Sequence, residues 1–215
     1  MFKHILFDLD GTLTDPVEGI LRSLRHTLEH FGLEQEDENQ LKAFIGPPLA
    51  DSFRSLYGFN EEQVAEAICL YRAHYAEDGI FGNKVMPGMV ELLTRLQSEG
   101  KKMYVATTKM TAFAEQVLEI FKLDGFFSLV IGGNPDGTRT AKREIIAEIL
   151  EVIPPREQKQ AVMIGDRKYD IIGAKAHGMA SIAVTFGYGS ETELKNEEPD
   201  YLVSSVSELT RLLCQ

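Results

Sequence analysis

The stretch "ILFDLDGTLTD" (residues 5–15) decides the fold. Ile5, Leu6 and Phe7 read as a buried strand, and the apolar run stops at Asp8 and Asp10. Side chains alternate along a strand, so two acids spaced by two point to one face. Held that close, like charges raise each other's pKa and resist joint ionisation. Gly11 then permits a tight turn whose backbone can approach a ligand, and Thr12 and Thr14 offer hydroxyls. A lone Asp here would read as a helix cap or an Asx-turn. Two acids followed by Gly-Thr directly after an apolar strand point instead to a site.

Downstream, two textures follow one another. Residues 16–78 read as helical throughout. "VEGILRSLRHTLEHFG", "ENQLKAFIG", "PPLADSFRSLYG" and "NEEQVAEAICLYRAHYAEDG" carry apolar residues at three- and four-residue spacing, and glycines close them. From residue 87 helical segments alternate with short β-runs: "MYVAT", "FSLVIGG", "AVMIGD", "SIAVTFG" and "YLV". That alternation implies parallel βαβ units with right-handed crossovers, hence an α/β protein. The first strand belongs to the same sheet, so the helical block is an insertion. The expected division is a core of residues 1–14 and 84–215 with a helical domain at 15–83, joined through Asp15–Pro16 and "GIFGNKVMPG". Ligands of an open α/β sheet sit beyond the carboxyl ends of the strands, and every motif falls at such an end.

Composition narrows the function classes. The chain has 215 residues, 22 basic against 33 acidic, for a net charge of −11. That balance argues against general binding to nucleic acid or anionic membranes. Cys69 and Cys214 stand far apart outside any CxxC or Cys/His cluster, which excludes a zinc module and a disulfide scaffold as readings. The opening "MFKHILFDLD" does not read as a signal peptide, and no apolar stretch is long enough to span a bilayer. The expectation is a soluble, cytoplasmic protein, monomeric or homodimeric.

Three further motifs join the first. In "VATTK", Thr107 and Thr108 are expected to end the second core strand, where a hydroxyl and free N–H groups can bind an anion. Lys142, in "RTAKREII", opens a helix although the dipole favours acids there; Arg139 is a weaker candidate of the same kind. In "MIGDRKYD", Asp166 follows an apolar strand and Asp170 lies one helical turn on. Two strand ends presenting acids to one crevice describe an oxygen-ligand site of the type Mg²⁺ uses with phosphate.

In their order and at these strand ends, "DLDGT", Thr107, Lys142 and "GDRKYD" resemble the four motifs of the haloacid dehalogenase superfamily. The match runs from the first strand through "MPGM" to the late "TFGYGS", and is nearest to phosphoglycolate phosphatase-like members. The resemblance implies a Rossmann-like core with an inserted helical C1 cap. It implies a Mg²⁺-dependent phosphatase of a small phosphorylated metabolite, with Asp8 the nucleophile and Asp10 the acid and base. It further implies phosphoryl contacts from Gly11, Thr12, Thr107, Thr108 and Lys142, and metal contacts from Asp8, the backbone carbonyl of Asp10, Asp166 and Asp170. Arg22, Arg25, Arg54 and Lys109 are candidates for contacting the leaving group. Nucleotidase or pyrophosphatase activity, a β-phosphoglucomutase-like reaction and a phospho-ligand-binding regulatory role are the alternatives. Haloacid dehalogenation itself is disfavoured by Asp10, since that chemistry needs no leaving-group acid.

Overall fold

The computed structural model describes residues 2–33 and 37–214; residues 34–36, inside the stretch expected to be helical, lie outside it. Along the chain run β1 (His4–Phe7), β2 (Thr14–Asp15), α1 (Val17–His30), α2 (Glu38–Lys42), α3 (Leu49–Tyr57), α4 (Glu61–Glu77) and β3 (Lys84–Val85). There follow α5 (Met89–Ser98), β4 (Lys102–Met110), α6 (Thr111–Ile120), β5 (Leu129–Gly133), α7 (Lys142–Val152), β6 (Ala161–Gly165) and α8 (Lys168–Ala176). The last elements are β7 (Ala180–Val184), α9 (Glu191–Asn196), β8 (Tyr201–Val203) and α10 (Val206–Leu213). Two compact units result, Met1–Asp15 with Val85–Gln215, and Pro16–Lys84. The short strands β2 and β3 pair where the chain leaves the first unit and returns to it.

The first unit is built on a six-stranded sheet of order β5–β4–β1–β6–β7–β8, parallel at every pairing. β1 lies between β4 and β6, with His4 opposite Lys102 on one side and Ala161 on the other. Burial on both faces explains its unbroken apolar run: Ile5, Leu6 and Phe7 have no exposed surface. Leu6 packs with Tyr104, Ala106 and Met163 against Ile145, Ile146 and Ile149 of α7. That face, continued past the end of β1, leads toward the start of α7.

The second unit is helical. α4 starts with a capping box between Asn60 and Gln63, which satisfies two otherwise unpaired N–H groups. Phe53 stacks on Phe59 with centroids 5.7 Å apart and meets Phe44 edge-on at 5.0 Å. α2 ends at Lys42, short of the helix expected through Ile45. Gly46 takes φ +105° ahead of Pro47 and Pro48, a sequence that cannot continue a helix. Phe44 and Ile45 are buried in the resulting turn.

β4 also departs from expectation, running on through Thr107 and Thr108 to Met110. The register slips between Ala106 and Met110, where Met110 pairs with Gly133. Among the described residues no helix is long and apolar enough to cross a membrane.

Candidate active site

Asp8 is the first residue beyond β1, and its N–H still bonds the Ile164 carbonyl at 2.8 Å. Its Oδ1 accepts from the Leu9 N–H at 2.7 Å. On the same face, Lys142 brings its Nζ to 3.0 Å from Asp8 Oδ1 and 2.8 Å from Asp170 Oδ1. A third bond, 2.8 Å to the Ala106 carbonyl, aims the ammonium from the β4 side. Asp8, Asp166, Asp170, Thr107 and Lys142 are all buried. Burial acts to lower the Lys142 pKa, yet Asp170 and Asp8 hold it above its ordinary value. It is therefore a fixed cation.

The acids outnumber it. Oxygens of Asp8, Asp166 and Asp170 lie within 4.8 Å of one another. Burial, then the charges of Asp8 and Asp170, push Asp166 up to about 8. Asp170 rises to about 7, through burial first, with Asp8 adding to it and Lys142 opposing. Three buried carboxylates facing one ammonium leave negative charge that only protons or a cation can offset. An all-oxygen donor set of this charge fits a hard divalent ion such as Mg²⁺.

Asp170 reaches the cluster from α8 by crossing the end of β6. A Cβ on Gly165 would lie 2.0 Å from the Asp170 carboxyl carbon, so the glycine is what admits the second acid. Asp170 also accepts from the Arg167 N–H at 3.1 Å.

Asp10 takes a different partner. Its Oδ2 is 2.6 Å from Lys109 Nζ, and both side chains are largely buried. Burial raises the Asp10 pKa, Lys109 pulls against that, and Asp8 adds to it. The two acids of "DLD" thus occupy distinct electrostatic settings, Asp8 beside Lys142 and Asp10 beside Lys109.

The other expected residues are placed as follows. Thr107 Oγ1 accepts from the Lys109 N–H at 3.2 Å, and Thr108 neighbours it within β4. Gly11 adopts φ +82° and its Cα faces the Asp166 carboxylate. Thr12, expected at the phosphoryl group, donates its hydroxyl to Asp166 Oδ1 at 3.1 Å; its proton is engaged in orienting a carboxylate. Arg139 is structural, bonding the Gly132 carbonyl and Glu148. Within the helical unit Arg22 pairs with Glu18 and Asp78, Arg25 with Glu38, and Arg54 with Asp51 and, through two nitrogens, Glu61. The Asp10–Lys109 pair is invisible to local pattern, since it joins the end of β1 to the irregular end of β4.

Residues 5–184 match the family model for haloacid dehalogenase-like hydrolases. A 5'-nucleotidase of Pseudomonas aeruginosa is 41% identical over 212 residues, covering 99% of this chain and 96% of that protein. A phosphoglycolate phosphatase of Aquifex aeolicus is 30% identical over 213 residues, with 98% and 96% covered. The crystal structure of a predicted phosphatase from Clostridium acetobutylicum superposes with a TM-score of 0.94 at 42% identity, covering 100% of this chain and 99% of that one. The chain belongs to the haloacid dehalogenase-like hydrolases, and its parallel six-stranded sheet with surrounding helices is the α/β core the family resemblance implied.

Proposed function

We propose that this enzyme is a Mg²⁺-dependent phosphatase that hydrolyses a small phosphorylated metabolite through an aspartyl-phosphate on Asp8. The observation that carries the reading is the separation of the two neighbouring acids. Asp8 pairs with Lys142 within the acid cluster, while Asp10, outside that cluster, pairs with Lys109 and has its pKa raised by burial.

Asp8 attacks phosphorus, and the bond from phosphorus to the ester oxygen breaks. Asp10 gives its proton to the departing oxygen, then takes one from the water that attacks the phosphorylated Asp8. Inorganic phosphate leaves, Asp8 is again a carboxylate and Asp10 again carries its proton. Lys142 and the Thr107 hydroxyl would neutralise and orient the phosphoryl oxygens. Asp8, Asp166 and Asp170 would hold Mg²⁺, which when bound supplies positive charge against the nucleophile and the phosphoryl group. The inserted helical unit is read as the family's cap.

For the substrate, the 41% identical 5'-nucleotidase supports nucleoside 5'-monophosphates as the first class to test, and the 30% identical phosphoglycolate phosphatase supports phosphoglycolate as the second. The pairing of Arg22 and Arg54 with neighbouring acids favours neither as a dedicated carboxylate clamp. The test is phosphate release from a panel holding both classes, with and without Mg²⁺. Asp8→Asn is expected to lose at least roughly 10⁴-fold in kcat with an unchanged circular dichroism spectrum. Turnover surviving in that variant removes the nucleophile assignment.

A further inference from the structure

The late segment "TFGYGS" (residues 185–190) packs against Asp166. The Tyr188 N–H donates to Asp166 Oδ2 at 2.8 Å, while Thr12 holds Oδ1. Both flanking glycines are forced by proximity. A Cβ on Gly187 would meet the Asp166 carboxylate at 2.4 Å, and one on Gly189 would meet the Asp166 carbonyl at 1.9 Å. Between those glycines Tyr188 is the one side chain. The Tyr188 phenol donates to Asp15 Oδ1, in the strand that follows the "DLDGT" turn. Burial and that bond keep the phenol protonated, with the charges of Asp15, Asp10 and Asp166 adding to the effect.

We propose that Tyr188 is a positioning residue for the cation site. Its backbone orients the Asp166 carboxylate, and its hydroxyl, anchored on Asp15, fixes the loop that carries that backbone. Outer partners of metal-binding carboxylates govern affinity because they set the direction of the oxygen lone pairs. The inference rests on the proposed reading of Asp8, Asp166 and Asp170 as cation ligands, and the experiment separates the two.

Mn²⁺ binding to the full-length protein without substrate is followed by electron paramagnetic resonance. Binding by the wild type and its loss in Asp166→Ala establish the site; absence of binding, or Asp166→Ala binding normally, overturns the cation reading and this inference with it. Given the site, Tyr188→Phe is expected to weaken Mn²⁺ by about 10-fold, and Asp15→Ala to do the same. Asp15→Asn, which keeps an acceptor, is expected to stay within about two-fold of the wild type. The double variant Tyr188→Phe/Asp15→Ala is expected to be no worse than either single change, because both remove one bond. In turnover the loss falls mainly on the Mg²⁺ concentration for half-activation and is largely recovered at saturating metal. Wild-type Mn²⁺ affinity in Tyr188→Phe, or a kcat loss that added metal does not recover, overturns the positioning role. Should Asp15→Ala fail to fold, Tyr188→Phe alone decides.

Discussion

Lys142 is held by three oxygens from three elements, Asp8 after β1, Ala106 in β4 and Asp170 in α8. Its replacement strands two buried carboxylates without their cation, a change that costs about 3 kcal/mol or more when one partner of a buried pair is lost. Lys142→Met is therefore expected to lower metal-free stability by about that amount in urea denaturation, besides abolishing turnover. Lys142 was legible because a lysine in a first helical turn runs against the dipole. Asp8 and Asp166 were legible because an acid straight after an apolar strand breaks a local pattern. Lys109 as the partner of Asp10, and Thr12 as a donor to Asp166, were not. Each pairing joins residues far apart in sequence, and no local periodicity encodes which hydroxyl or ammonium will face which carboxylate.

Elements deliver the site as much as side chains do. Asp170 belongs to α8 yet reaches the end of β1, because Gly165 leaves the end of β6 bare. Gly165→Ala is expected to fold but to push Asp170 off Lys142. The expected loss is about 10- to 100-fold in activity, read as kcat/KM beside an unshifted far-ultraviolet spectrum. The strand–helix alternation was legible because short apolar runs and segments of 3.6-residue period are local properties. The continuation of β4 past Thr107 was not, since it depends on β5. A Cβ on Gly132 would meet the Lys109 carbonyl at 2.2 Å, so the glycines of β5 let the irregular end of β4 lie close.

At the scale of the molecule, the acid cluster ties stability to pH. Asp166 ionises near its reference value of 3.8 when unfolded and at about 8 when folded. Between those values the folded chain binds more protons, so stability falls as pH rises through that window. Metal-free protein is expected to melt at lower temperature at pH 8 than at pH 5, and Asp166→Asn to flatten the trend. Mg²⁺ held at the proposed site would compete with those protons, so it is expected to raise the melting temperature more at pH 8 than at pH 5; scanning calorimetry at both pH values checks this. The position of β1 governs the order in which the chain can be assembled during synthesis. β1 leaves the ribosome before its partners, which begin only at Lys102 and Ala161. Residues 16–84 form their own compact unit, with contacts close in sequence that can form early, whereas β1 must wait for distant ones. The strand that ends at Asp8 is thus made before the strands it pairs with and, as an apolar run without neighbours, is exposed to aggregation until they emerge.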